Sequence, residues 1–186
     1  MTDTARPSQL KSRLILLLIV AMFFSSFLIA WGLRLSGWTP SGSKNLGELI
    51  QPPKDLSQAG FLYADGKPYA WETEKHIWRV VVVPGENCQL VCTKMTDTLL
   101  RIWETQGRQA DRVDVLWFGD LPKDAHTFRK LFVMQSSPAL QTALTFTSTD
   151  DSLPVYLIDP NGFLVMQYRP GFEPSDLRKD LARLLK

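Results

Sequence analysis

The chain has two cysteines, Cys88 and Cys92, standing four apart in Val83-Pro84-Gly85-Glu86-Asn87-Cys88-Gln89-Leu90-Val91-Cys92. Thiols so placed can cycle between dithiol and disulfide, or share one soft metal ion such as Cu(I). Residues four apart lie on one helical face, so a helical turn points both sulfurs the same way. A merely structural disulfide is a poor account of the pair, because closing so short a loop removes only about 2 kcal/mol of unfolded-chain entropy. The bland alternative is two inert buried thiols, since free cysteine packs well in cores.

The elements around the pair favour reactivity. His76-Ile77-Trp78-Arg79-Val80-Val81-Val82-Val83 is a short β-branched run stopped by Pro84-Gly85, the pattern of a buried parallel strand. Leu90, Leu99, Leu100, Ile102 and Trp103 then recur at roughly helical spacing, which places Cys88 at or just before a helix N-terminus. Unpaired backbone N–H groups and the helix dipole favour a thiolate there.

Leu14 to Leu33 is uncharged and 20 residues long, the length a helix needs to cross a bilayer core. Arg6, Lys11 and Arg13 precede it, which favours a cytoplasmic N-terminus and an external C-terminal domain, periplasmic or equivalent. Trp31 and Trp38 suit an interfacial belt. A cleaved signal peptide is the rival reading, but the apolar stretch is too long and no clean small-x-small site follows. Either reading exports the cysteines to an oxidising compartment. A net charge of +2 with interspersed signs gives no basic stripe, so nucleic acid is not an expected partner.

Residues 1–13 are thus expected as a cytoplasmic N-terminus, 14–33 as the transmembrane anchor and 34–55 as a Ser-, Gly- and Pro-rich tether. Residues 56–186 are expected as one domain. Within it Phe61 to Tyr69 reads as a hairpin turning at Asp65-Gly66, and Val113 to Phe118 as a second strand. Lys123 to Met134 reads as a helix, and Thr142 to Ser148 has no assignable pattern. Pro154 to Ile158 and Phe163 to Tyr168 flank an Asp159-Pro160-Asn161-Gly162 turn. A last helix starts near Pro174 or Ser175, with Leu177, Leu181, Leu184 and Leu185 on one stripe. This order gives an α/β fold, a mixed sheet flanked by helices, in the thioredoxin-like arrangement.

From Phe61 to Leu185 the sequence resembles the thioredoxin-fold Sco/SenC family, membrane-anchored proteins that help assemble the copper centre of cytochrome c oxidase. The resemblance is carried by Cys88-Gln89-Leu90-Val91-Cys92 after the first central strand and by Tyr156-Leu157-Ile158-Asp159-Pro160-Asn161-Gly162. Gln89 stands where the family often has proline. The family's copper-ligand histidine precedes the Tyr-Leu strand, and Asp151 of Asp150-Asp151-Ser152 occupies its place here. A carboxylate is a hard, poor ligand for Cu(I). His76 and His126 are the chain's two histidines, each read as an ordinary polar position. Thioredoxin-like redox proteins also place a cis proline beside the cysteines, and Pro154 is expected to be that residue, holding the partner's chain.

Two main functions follow, each with a protein client that the resemblance implies: an oxidase subunit or copper chaperone with a cysteine pair. In the first, Cys88 attacks a client disulfide, Cys92 resolves the mixed disulfide and Pro154 positions the client. In the second, Cys88 and Cys92 carry Cu(I), alone or with Met95, His126 or a client residue. A third reading is an assembly scaffold that makes no use of its cysteines.

Overall fold

The computed structural model describes residues 9–36, 44–85, 88–149 and 152–186. The chain divides into two units, residues 1–44 and 45–186. The first contains α1 (Gln9–Leu35), whose 27 residues rise about 40 Å. Its stretch Lys11–Leu35 is long and apolar enough to cross a membrane, and it contains the expected span 14–33. The Ser25 and Ser26 hydroxyls donate back to the carbonyls of Met22 and Phe23, so neither is left unsatisfied in an apolar surrounding.

The second unit is built on one sheet of β1 (Glu48–Asp55), β2 (Trp78–Val82), β3 (Val113–Phe118), β4 (Leu131–Met134), β5 (Val155–Ile158) and β6 (Phe163–Tyr168). Their order is β1-β6-β5-β2-β3-β4. β2, β3 and β4 run parallel, whereas β5 pairs antiparallel with both β2 and β6. The helices are α2 (Leu90–Glu104), α3 (Pro138–Ala143) and α4 (Pro174–Leu184). Alternation along the strands divides the core between the two faces. Val80, Val82, Val115, Trp117, Val155 and Leu157 pack with Leu99 and Ile102 of α2 and Leu177 and Leu181 of α4. Val81, Leu116, Phe118, Tyr156 and Ile158 pack with Phe61, Tyr69 and Leu140 on the other face.

The structure alters the expected element order in two places. Residues 48–55, expected as the end of the tether, form β1 on the sheet's edge beside β6. Pro52 and Pro53 disguise it: prolines cannot join a ladder on both sides, but an edge strand tolerates them where the register breaks between Leu49 and Lys54. The helix expected over 123–134 is instead a loop leading into β4. Leu131-Phe132-Val133-Met134 is a four-residue apolar run, and pairing with Val115 to Phe118 of β3 satisfies its backbone. The stretch left without a pattern, Thr142 to Ser148, begins in the last two residues of α3, whose first turn is capped by the Ser137 hydroxyl accepting from Leu140 N at 3.3 Å.

Two buried polar knots fix the frame. Arg79 of β2 is fully buried, and its guanidinium donates to the Tyr69 hydroxyl at 3.0 Å, to Ile77 O at 2.7 Å and to Trp71 O. Tyr69 in turn donates to Asp114 at 2.8 Å, and Lys130 pairs with the same carboxylate at 2.8 Å. In the second knot Asp180 of α4, 1% exposed, accepts from Leu46 N at 2.8 Å, Gly47 N at 2.9 Å and the Tyr168 hydroxyl at 2.9 Å. Gly47 has no room for a side chain, since a Cβ would stand 2.7 Å from the Tyr168 ring.

Burial pushes all four tyrosine hydroxyls above their ordinary value of 10.0. The effect is largest at Tyr69, where the Asp114 charge adds to burial, and at Tyr168, where the hydrogen bond to Asp180 does. The folded state therefore holds these protons more tightly than the unfolded chain. Stability is full below about pH 10 and drains as pH rises beyond it. Tyrosinate absorbance should accordingly lag in the native protein and rise together with unfolding; half ionisation at pH 10 without loss of circular dichroism would contradict this. Asp180→Ala orphans three donors and should cost about 3 kcal/mol, read from denaturant unfolding of the full chain in mild detergent.

Candidate functional site

β2 ends at Val82 for a reason found on its neighbour. Val82 pairs with Val155, and one step further Pro154 has no N–H to offer the ladder. The Val83 carbonyl accepts the Ser148 hydroxyl instead. Released from the sheet, the chain turns through Pro84-Gly85 and delivers Cys88 just ahead of α2. Gly119, at φ +128 in the loop after β3, brings its backbone against Pro84, where a Cβ would lie 3.4 Å from the proline Cγ. Trp117 is buried and donates to Asp120 O at 3.1 Å, fixing that second loop.

Cys88 and Cys92 are joined by a disulfide, with Cα atoms 5.3 Å apart. The two sulfurs are unequal. Cys92 is 1% exposed and belongs to the stripe Cys92, Thr96, Leu99, Ile102 that α2 buries. Cys88 is half-buried and lines a cleft of about 680 Å³. The cleft runs between the loop after β2, the first turn of α2 and the loop after β3, with Gln89, Leu90, Thr93, Leu121 and Pro122 on its walls. It thus opens at the carboxyl ends of β2 and β3, as ligand crevices do in α/β sheets. The N-terminus of α2 lowers the cost of negative charge on the Cys88 sulfur.

The other expected site residues are placed differently. Pro154 is buried at the head of β5, outside the set of cleft-lining residues. Its bond to Leu153 is not cis; the cis peptide bond among the described residues is Gln51–Pro52. The trans form is the intrinsically preferred one, and Leu153, Pro154 and Val155 run buried into the sheet. Met95 is half-buried and packs on the core cluster that includes Cys92. His126 is exposed and joined to α2 through its backbone N–H, which donates to the buried Thr96 hydroxyl at 3.1 Å. His76 is exposed in a left-handed conformation ahead of β2. Asp150, Asp151 and Trp38 lie outside the described residues. Sequence reading missed the loop after β3 as a wall of the site. Its signal is Gly119-Asp120 directly after an apolar strand, the place where a parallel sheet puts its functional loops.

A parallel strand feeding a helix that carries a cysteine pair at its start, inside a mixed sheet, defines a thioredoxin-like domain. The chain belongs to the family described as transmembrane-like, thioredoxin-like, C-terminal domain, whose model matches residues 78–186. Similar solved structures include yeast Sco1 with copper bound, at 12% identity and TM-score 0.50 over 76% of this chain and 93% of that one. T. cruzi GPX1 is similar at 20% identity and TM-score 0.51, covering 71% and 97%. A SCO1/SenC family lipoprotein from Bacillus anthracis is similar at 19% identity and TM-score 0.47, covering 77% and 98%. Sco/SenC proteins are thus among the structural neighbours, and at these identities the likeness is one of fold. No curated protein sequence matches the chain.

The unequal burial has a measurable consequence. After reduction, iodoacetamide should modify Cys88 at least about tenfold faster than Cys92, as followed by peptide mass mapping. Equal rates would mean that the two sulfurs are equally accessible.

Proposed function

We propose that this protein is a membrane-anchored thiol–disulfide exchange protein of Sco type, with its domain on the external, periplasmic or equivalent side. It assists assembly of the cytochrome c oxidase copper centre by acting on a client cysteine pair, in an oxidase subunit or a copper chaperone. The observation that carries the exchange reading is the disulfide between a cleft-lining Cys88 and a buried Cys92. In the reducing direction the Cys88 thiolate attacks a client disulfide, forming a mixed disulfide and releasing one client thiolate. The Cys92 sulfur then attacks Cys88, closing the intramolecular disulfide and releasing the second. Two electrons pass to the client, and the two protons of the dithiol end on the client thiols. Pro154 supports the site from behind, by ending the ladder where the chain must leave for Cys88.

The same bond supports a second reading, in which Cu(I) is cargo. Two sulfurs that can meet in a disulfide can also close on one soft ion once reduced. The copper-bound Sco1 of yeast lends this reading a precedent of fold.

One experiment separates the two. The reduced full chain in detergent is offered hydroxyethyl disulfide, and in parallel Cu(I) against a competing chelator. Under the exchange reading, Cys88→Ser abolishes turnover, Cys92→Ser stops at the mixed disulfide, and Cu(I) is lost to the chelator. Tight one-to-one copper binding that vanishes in the double serine variant, with slow exchange, would move the function to copper carriage. Assembly activity unaffected by that double substitution would refute both.

A further inference from the structure

We propose that Leu90 is a specificity-determining residue: it selects clients by contacting an apolar residue that flanks the client's reacting cysteine. This deepens the exchange reading above and rests on it. Among the described residues of the unit 45–186, Leu90 is the most exposed large hydrophobic side chain, at 78% against 45% for Leu46. It opens α2, two residues after Cys88 and two before Cys92. The helix otherwise keeps its apolar side chains buried or half-buried, so Leu90 is the exposed apolar residue of α2. With half-buried Pro84, Leu121 and Pro122 it forms an apolar lip around the cleft that Cys88 lines.

A single exposed leucine is ordinary on a protein surface. This one lies where a client must pass. Exchange requires the client's sulfur to come within a bond of Cys88 Sγ, and consecutive Cα atoms are only 3.8 Å apart. Residues flanking the client cysteine are therefore carried across the lip. The sheet edges give the client no hold. Outside β4 the edge is taken by Ala64 N donating to Val133 O at 2.9 Å and Gln135 N donating to Leu62 O at 2.9 Å. The opposite edge strand, β1, carries Pro52 and Pro53. Strand addition is thus blocked at both places. Charge discriminates weakly, because Asp120, Lys123 and Asp124 on the cleft wall bear both signs. Gln89, Thr93, Ser136 and Gln141 on the same walls can hydrogen-bond a client, but its backbone answers such groups whatever its sequence. Discrimination between flanking side chains therefore falls to apolar contact, and covering a leucine side chain on binding corresponds to a preference of about tenfold.

The test uses the reduced full chain in lipid nanodiscs and two homodisulfide peptides of equal charge, one with leucines and one with serines on either side of its cysteine. Each rate is divided by that peptide's rate with dithiothreitol, which removes differences in intrinsic disulfide reactivity. Cys88 attacks the peptide disulfide and Cys92 resolves it, so the protein is oxidised by two electrons and two peptide thiols are released. The native protein should prefer the leucine peptide about tenfold. Leu90→Ser should bring the ratio to about 1, and Leu90→Met should restore most of it. The ratio cancels any change in Cys88 reactivity, and circular dichroism checks that each variant is folded. Equal rates for the two peptides, or a preference that survives Leu90→Ser, would overturn the assignment while leaving exchange intact. No turnover of either peptide would overturn exchange and the assignment with it.

Discussion

Arg79 carries a full charge into a place closed to water, and the strand that bears it also delivers the cysteines. A buried guanidinium is tolerable only if its donors and its charge are answered. Here Tyr69, Ile77 O, Asp159 O, Pro160 O and Trp71 O take the donors, the Trp71 ring lies 4.7 Å beneath the cation, and Asp114 is reached through the Tyr69 hydroxyl. Those groups come from the hairpin region, from β3 and from the turn between β5 and β6. One side chain thus gathers three separate stretches around one end of β2. Removing a partner would leave a charge stranded, which typically costs about 3–5 kcal/mol. The β2 register against both neighbours follows from this knot, and with it the position at which the strand can end.

The opposite end of β2 is where that rigidity becomes useful. Pro154 cannot extend the ladder, Ser148 takes the Val83 carbonyl, and Gly119 holds Pro84 closely from the next loop. Cys88 therefore leaves a fixed point and meets a helix anchored by Cys92, Thr96, Leu99 and Ile102. The inequality of the two sulfurs needs no special device. Cys92 lies within the stripe that α2 packs on the sheet, whereas Cys88 precedes the first helical turn, where the covering strand has already turned away. The cleft is bounded by the loops after β2 and β3 and by the first turn of α2.

Much of this was legible in the sequence, where local pattern and tertiary need agree. Val80 to Val82 between Arg79 and Pro84, the Asn161-Gly162 turn, and the Leu177, Leu181, Leu185 stripe all state their element locally, and the cysteine pair lies where strand meets helix. The Asp159 carboxylate accepting from Asn161 N at 3.0 Å and Phe163 N at 2.7 Å shows how completely that turn is written in its own residues. The misreadings are places where a distant partner decides. β1 hides behind two prolines and exists because β6 offers it an edge. β4 reads as the end of a helix until β3 is known to lie beside it. A trans bond before Pro154 runs against an expectation drawn from resemblance, for which no local residue pattern stood as support. Leu90 and the Gly119 loop were invisible for a further reason: a residue's exposure and a loop's nearness belong to the folded surface, and single-chain periodicity does not report them.

Exchange and copper carriage draw on one resource, and this limits how far they can differ. A disulfide has no thiolate to offer a metal, so the oxidised pair excludes Cu(I), and reduction supplies the nucleophile and the ligands together. The third ligand then becomes the deciding group, since two thiolates leave Cu(I) open to a further soft donor. Thr96 and Leu99 behind Cys92 offer no such donor, whereas Met95, packed on the same cluster, carries a soft thioether. A ligand that a client brings to Cu(I) approaches from the cleft that Cys88 lines, the side from which a client disulfide also arrives. In both readings the decisive partner atom enters past Leu90, Leu121 and Pro122. What distinguishes them is whether that atom is a sulfur to be reduced or a ligand that shares the metal.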